Sequence, residues 1–299
     1  MFITVCLNPV LQKTLCLSAL QENQVNRLSC HQLDASGKGV NVSRILSLLG
    51  AGVVHLTQSG GGFHFIFREF LKKEKFRSIL VPSGAELRFC YTILTDRGSA
   101  TEIVEEGRKV KPDTGKKILS EYQKLLVPGR AVVISGTRAP GFRDDIFPLM
   151  VKLAVKKKCC IILDYRGRDL IDSLQYKPHF VKINLQEFAA TFLEYDVKEN
   201  FSPAGVVKKI KQILPEIYNK YGTRFILTGG SRNIIFFDGK ACREYRPRKI
   251  TPVNTVGCGD AFTAGFIFEY MRSENFFLSV KTAEKCAGKN ALCLRPGCF

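Results

Sequence analysis

Short apolar runs recur along the chain, and most end on a polar residue or a glycine. Residues 2–7 form the first, stopped by the turn pair Asn8-Pro9. Residues 52–56, 131–135, 160–164, 180–183 and 225–228 repeat the plan. These runs are continuous rather than alternating, as in strands buried on both faces. Helical spacing falls between them: residues 42–49 with a stop at Gly50, 65–73, 145–156, a helix from Gln186, and 206–220 with Pro215 inside it or between two pieces. From about residue 115 helices and strands alternate, which predicts a parallel sheet covered on both faces.

A second pattern is more mixed. Residues 14–17 and 24–28 read as short strands of a small exposed sheet, and 88–95 with 101–104 as a hairpin around Asp96-Arg97-Gly98. Together they are expected to form a lid. Residues 234–237 and 243–245 pair around Asp238-Gly239.

The chemistry-bearing residues follow from this layout. Asn8, Ser135, Asp164, Asn184 and Thr228 sit at strand C-terminal ends, the edge where such sheets bind ligands. Residues 254–266 read N-T-V-G-C-G-D-A-F-T-A-G-F. Gly257 and Gly259 permit a tight turn with outward amides, and Asp260 opens a helix. Free N–H groups and the dipole there make an anion site, beside which Asp260 is expected to stay ionised and to take a proton from an attacking hydroxyl. The plainer alternative is a capping residue after a glycine turn. A second glycine turn, Ser36-Gly37-Lys38-Gly39-Val40-Asn41, also precedes a helix. It is not a Walker A loop, since Gln32 stands where Gly is needed and Gly39 where Ser or Thr is required.

Composition narrows the partners. In 299 residues, 45 Lys and Arg against 27 Asp and Glu give a net charge of +18. The basic residues are spread out, and no nucleic-acid-binding motif stands out, so an anionic substrate or a generally basic surface is expected and specific nucleic-acid binding is not. The eleven Cys are irregularly placed without a C-x-x-C, and the four His are scattered. They read as buried, reduced thiols of a cytoplasmic protein, not as zinc ligands. No apolar run reaches membrane length, and the N-terminus reads as a strand, not a signal peptide.

Several motifs in order resemble one family. Thr4-Val5-Cys6-Leu7-Asn8-Pro9, Gly37-Lys38-Gly39-Val40-Asn41-Val42-Ser43-Arg44, Ser135-Gly136 with Pro140-Gly141, Lys182-Ile183-Asn184 with Glu187, Thr228-Gly229-Gly230 and Gly257-Cys258-Gly259-Asp260 resemble the ribokinase-like, PfkB-type carbohydrate kinases, and within them the 1-phosphofructokinase and tagatose-6-phosphate kinase branch. The resemblance runs nearly end to end. It implies an α/β fold: a three-layer core with a mostly parallel sheet, helices on both faces, and a small β-sheet lid. It further implies a single domain over 1–299, with the lid at about 12–35 and 86–108.

The resemblance also implies ATP and Mg²⁺, with Asp260 as base and Gly257, Cys258 and Gly259 as the anion hole. Asn184 and Glu187 would organise Mg²⁺ through water and phosphate. Lys182, Asn184, Thr228, Gly230 and Asn290 would serve the nucleotide. Gln12, Lys38, Gly39, Asn41, Arg88 and Arg27 would serve the sugar, with Arg27 able to reach a neighbouring subunit in a homodimer formed through the lid. The implied acceptor is a ketohexose phosphate: fructose-1-phosphate, fructose-6-phosphate or tagatose-6-phosphate. Gln12 departs from the family's usual Asp, Ser36 from a usual Gly and Asn233 from a glycine; Arg138 and Arg166 are unusual basic residues near strand ends. A kinase for an unphosphorylated sugar or nucleoside, and a non-catalytic sensor of the same fold, remain as alternatives.

Overall fold

The computed structural model describes residues 1–96, 100–193 and 203–299. The chain begins with β1 (Phe2–Cys6), β2 (Val10–Leu17), β3 (Cys30–Ser36), α1 (Lys38–Leu48) and β4 (Val53–Ser59). Next come α2 (His64–Lys72), β5 (Arg77–Pro82), β6 (Arg88–Thr95), β7 (Ala100–Val104) and α3 (Thr114–Leu125). The alternating part contains β8 (Ala131–Ser135), α4 (Ile146–Lys156), β9 (Cys160–Asp164), α5 (Arg168–Leu174), β10 (Phe180–Asn184), α6 (Leu185–Phe192) and α7 (Pro203–Tyr221). The chain continues with β11 (Arg224–Gly229), β12 (Arg232–Phe237), β13 (Cys242–Tyr245), α8 (Cys258–Ser273) and α9 (Phe276–Ala291).

Nine strands form the large sheet, in the order β13-β12-β11-β10-β9-β8-β1-β4-β5. From β5 to β11 every pairing is parallel, while β12 and β13 close one edge as antiparallel strands. Alternating side chains feed two cores. Ile3, Val5, Val132 and Ile134 face Tyr122, Phe147 and Phe188 of α3, α4 and α6. Phe2, Ala131 and Val133 face Ile45, Phe262 and Phe266 of α1 and α8. This period of two explains why the runs are mostly apolar, with Thr4, His55 and Lys182 as buried polar exceptions. From β1 the chain moves outward to β4 and β5, then returns to build β8 to β11 on the other side. The strand order reverses beside β1, and the C-terminal ends of β1 and β8–β10 form the rim that carries the site.

The small sheet has the order β3-β2-β6-β7, with β2 and β6 parallel. Here the expected strands are corrected. β2 already begins at Val10, and the strand expected over 24–28 is a loop, with its place in the sheet taken by Cys30–Ser36. Asn26 accounts for the loop: its side chain accepts from Gln21 N at 2.9 Å and donates to Gln21 O at 2.7 Å, closing a turn. Arg97 and Gly98 of the expected hairpin turn lie outside the described residues. The reading of the thiols is also corrected. Cys16 and Cys30 stand opposite each other in the β2–β3 register, 5.0 Å apart at Cα, and are joined as a disulfide. Of the other cysteines, Cys6, Cys90, Cys159 and Cys286 are buried. Among the described residues, no helix is long and apolar enough to cross a membrane.

Candidate active site

The glycine turn before α8 is fixed from behind. Asn254 Oδ1 accepts from Val256 N at 3.0 Å, and its amide donates to Leu294 O at 2.8 Å. Asn290 donates to Val256 O at 3.0 Å and accepts from Gly297 N at 2.7 Å. Gly257 has φ +80°, and a Cβ there would lie 3.1 Å from Gly297 N, so both backbone conformation and space demand glycine. The segment after α9 is therefore a buttress. It also accepts from Arg44 Nη1 at Pro296 O, at 2.8 Å, and Arg295 bridges Asp34 at 2.8 Å and Glu74 at 2.7 Å. Asn290 is completely buried in this wall. Burial pushes the Cys258 thiol up, so the residue serves the turn through its backbone and is not an ionised nucleophile.

Asp260 lies in the first turn of α8, only 6% exposed. Asn41, from the first turn of α1, donates to its Oδ2 at 2.8 Å. Ser36 Oγ donates to Asn41 Oδ1 at 3.1 Å, which turns the amide nitrogen toward Asp260. Gly39 lets α1 approach β1: a Cβ there would sit 2.8 Å from Cys6 Cβ and 3.1 Å from Val5 O.

Beside Asp260 stands a second carboxylate that the sequence marked only as a strand-end residue. Asp164 is fully buried at the end of β9. Lys38 Nζ reaches its Oδ1 at 2.9 Å; Lys182 Nζ and Thr263 Oγ1 reach its Oδ2 at 3.2 and 2.7 Å. Burial alone would raise Asp164, but Lys182, Lys38 and the hydrogen bonds from Lys38 and Thr263 outweigh it and hold the pKa down to about 2. Asp260 goes the other way. Burial first, then the Asp164 charge, push it up to about 7, against the pull of Lys38, Asn41 and Lys182. The two carboxylates have diverged: Asp164 stays ionised, while near neutral pH Asp260 is divided between its ionised and protonated forms, so the expectation that it stays ionised is met in part. Burial disfavours the Lys38 ammonium, but Asp164, Glu187 and Asp260 more than compensate and raise its pKa. Lys182 Nζ lies so close over Gly259 that a Cβ there would come within 2.8 Å, which puts an ammonium directly at the glycine turn.

On one side of this pair, β10 ends in Asn184, which caps α6. Its Oδ1 accepts from Glu187 N at 2.7 Å, and Glu187 Oε2 accepts from Asn184 N at 2.9 Å. Glu187 Oε1 lies 3.5 Å from Lys38. Thr228 pairs with Asn184 across β10 and β11, and Gly230 has φ +66° with open space where a Cβ would be. A cavity of about 260 Å³ opens here, lined by Lys38, Gly136, Thr137, Tyr165, Arg166, Asn184, Gln186 and Glu187. Among the described residues, no three His, Cys, Asp or Glu side chains converge on one metal position. A hard cation that keeps its waters and is shared with phosphate still fits, since Glu187 turns one carboxylate oxygen away from the cap.

On the other side lies the small sheet. Gln12 is buried and donates to Thr92 Oγ1 at 2.8 Å. Arg88 donates to Glu105 O at 3.0 Å and Asn8 O at 3.3 Å, and its Nε is buried without a partner. Arg27 is exposed in the loop between β2 and β3, and the structure brings it to none of the residues above. Residues missed by sequence reasoning are Thr263, Glu74 and Arg295, together with the role of Asp164. Only Asp164, as a polar residue closing an apolar strand, gave a sequence signal.

Comparison with known proteins now decides the family. The pfkB family carbohydrate kinase model matches residues 8–297. The chain belongs to this family. It is a carbohydrate kinase. A tagatose-6-phosphate kinase of Staphylococcus epidermidis is 28% identical over 268 residues, covering 89% of this chain and 84% of that protein. Among solved structures, a possible 1-phosphofructokinase from Thermotoga maritima superposes with a TM-score of 0.84 at 25% identity, covering 98% of this chain and 92% of that one. Phosphofructokinase-2 from Escherichia coli, in complex with fructose-6-phosphate, superposes with a TM-score of 0.85 at 19% identity, covering 97% and 93%. The latter likeness concerns the fold: the large, mostly parallel sheet between helices and the small separate sheet.

Proposed function

We propose that this kinase transfers the γ-phosphoryl group of ATP to a hydroxyl of a ketohexose phosphate, with Asp260 as the general base. The observation that carries the reading is the buried Asp260, aimed by Asn41 at the start of α8 and flanked by Lys38 and Lys182. A carboxylate whose pKa is lifted to about 7 is matched to proton abstraction near neutral pH. Its Oδ takes the hydroxyl proton. The amides of Gly257, Cys258 and Gly259 then face the charge that develops on the transferring group, and Lys182 adds a positive charge over the same turn.

The cavity beside Lys38 and Asn184 suits the phosphate end of the nucleotide, with Thr228 and Gly230 on the adjoining strand end. Asn184 and Glu187 would hold Mg²⁺ through water and phosphate; when bound, it neutralises phosphate charge during transfer. Gln12 and Arg88 face the acceptor, and the small sheet serves as the lid that excludes water. Ile103 and Val104 on the edge strand β7 are exposed apolar residues, as is Val25 in the loop between β2 and β3, which supports a homodimer through the small sheet with Arg27 near the partner's site.

One observation favours a second reading. Two Arg88 nitrogens are spent on backbone carbonyls, which weakens its case as a phosphate ligand and favours an uncharged sugar. A coupled ATP assay over fructose-1-phosphate, fructose-6-phosphate, tagatose-6-phosphate, fructose and tagatose separates the two. Turnover confined to the phosphorylated sugars is expected. Preference for a free sugar overturns the acceptor assignment, and no turnover with any of them favours a sensor.

A further inference from the structure

The two unusual arginines near the strand ends have opposite fates. Arg138 is spent: its Nε reaches Asp169 Oδ2 at 3.0 Å and its Nη2 reaches Asp144 Oδ1 at 2.6 Å. Arg166 has no hydrogen bond or ion pair with any described residue, yet it lines the 260 Å³ cavity. The other charges on that lining are committed. Lys38 is held by Asp164 and Glu187, and Glu187 by Lys38 and the α6 cap. The guanidinium of Arg166 is thus the uncommitted charge of the cavity lining.

Its backbone is held on both sides. The preceding Tyr165 is buried, stacks on Phe147 with ring centroids 4.6 Å apart, and donates its hydroxyl to Ser173 Oγ at 2.8 Å. The following Gly167 has φ +73° and donates its N–H to Thr191 Oγ1 at 3.0 Å, and Thr191 donates in turn to Glu187 O at 2.6 Å. The turn carrying Arg166 is therefore pinned to the helix whose N-terminus opens on the same cavity. A side chain with five donors, on a fixed turn, beside a lysine and a helix N-terminus, suits phosphoryl oxygens, which guanidinium binds with two parallel hydrogen bonds.

We infer that Arg166 is a phosphate-binding residue of this cavity and contacts the polyphosphate tail of the nucleotide donor. The inference rests on the kinase reading for the identity of the donor, but not for the binding itself. Its test is therefore first a binding test. Inorganic tripolyphosphate is titrated calorimetrically into the full-length protein, its Arg166→Gln variant and its Arg166→Lys variant, with fructose-6-phosphate as the second arm. Arg166→Gln is expected to weaken tripolyphosphate about ten-fold, the low end for a charge-assisted contact at an exposed position. Arg166→Lys is expected to recover part of that loss, and fructose-6-phosphate affinity to stay within about two-fold. In steady-state kinetics the KM for ATP rises by a similar factor while the KM for the sugar does not. Tripolyphosphate binding by Arg166→Gln within about two-fold of the unmodified protein overturns the inference, as does a loss confined to fructose-6-phosphate. If the unmodified protein binds tripolyphosphate through Arg166 but phosphorylates no sugar, the function proposal fails and the Arg166 site stands.

Discussion

The strand-end rim of the large sheet and the small sheet beside it treat their polar groups differently. At the rim, both oxygens of Asp164 are taken by lysines and Thr263, and Asp260 is held by Asn41. In the small sheet Thr14 Oγ1, Asp34 Oδ2 and Arg88 Nε are buried without partners. A buried polar atom without a partner costs free energy, so the sheet retains groups that a ligand or an ordered water would satisfy. At the rim the carboxylate pair is already held in place, as electrostatic stabilisation of a transition state requires, although Ser135 Oγ at the end of β8 is also buried without a partner. On the proposed mechanism the difference is a division of labour: the chemistry belongs to the rigid core, and the choice of sugar to the small sheet.

Three substitutions test that division. The largest effect is expected from Asp260→Asn, which should lower kcat by about three orders of magnitude while nucleotide affinity, measured by titration, survives. Ordinary turnover in this variant would remove the rim from the chemistry. Asp164→Asn comes next. It leaves the buried Lys182 without its ion-pair partner and Lys38 with Glu187 alone, and should cost about 3 kcal/mol of stability, read by denaturant unfolding. It also sharpens the comparison through pH. As the proposed base Asp260 would act deprotonated, and its pKa is raised, so kcat/KM should climb as pH rises through about 7. Removing the Asp164 charge lowers the Asp260 pKa, so in the variant this rising limb should move to lower pH; an unmoved limb would mean that burial alone sets it. The smallest effect belongs to the small sheet. Arg88→Ala should raise the KM for a sugar phosphate about ten-fold and leave the KM for ATP unchanged. A matching rise for ATP would erase the distinction between the regions.

Much of the core was legible because strands covered on both faces are mostly apolar, and most such runs end on a polar residue or a glycine. The Gly257–Asp260 turn was legible for a similar reason: its glycines and its acid stand together in the chain. The small sheet was less so. Its strands mix polar and apolar residues on both faces, and only the Asn26 turn decides that residues 24–28 leave the sheet. The edge strand β5 is short and partly exposed, so no strand is read there. The Asp164 cluster was hidden because its partners come from positions 38, 182 and 263, and Thr263 reads as an ordinary helix-interior residue. The raised pKa of Asp260 was hidden too, since it depends on burial and on a neighbouring charge that only folding brings near.

The buttress behind Gly257 has a temporal consequence. Asn290, which fastens Val256, is made 34 residues after the turn it holds, and Gly297 later still. A chain emerging from the ribosome has therefore made every strand of its great sheet before the residues that back the Gly257 turn exist. The backing of that turn by Asn290 and Gly297 comes later in the chain than the turn itself.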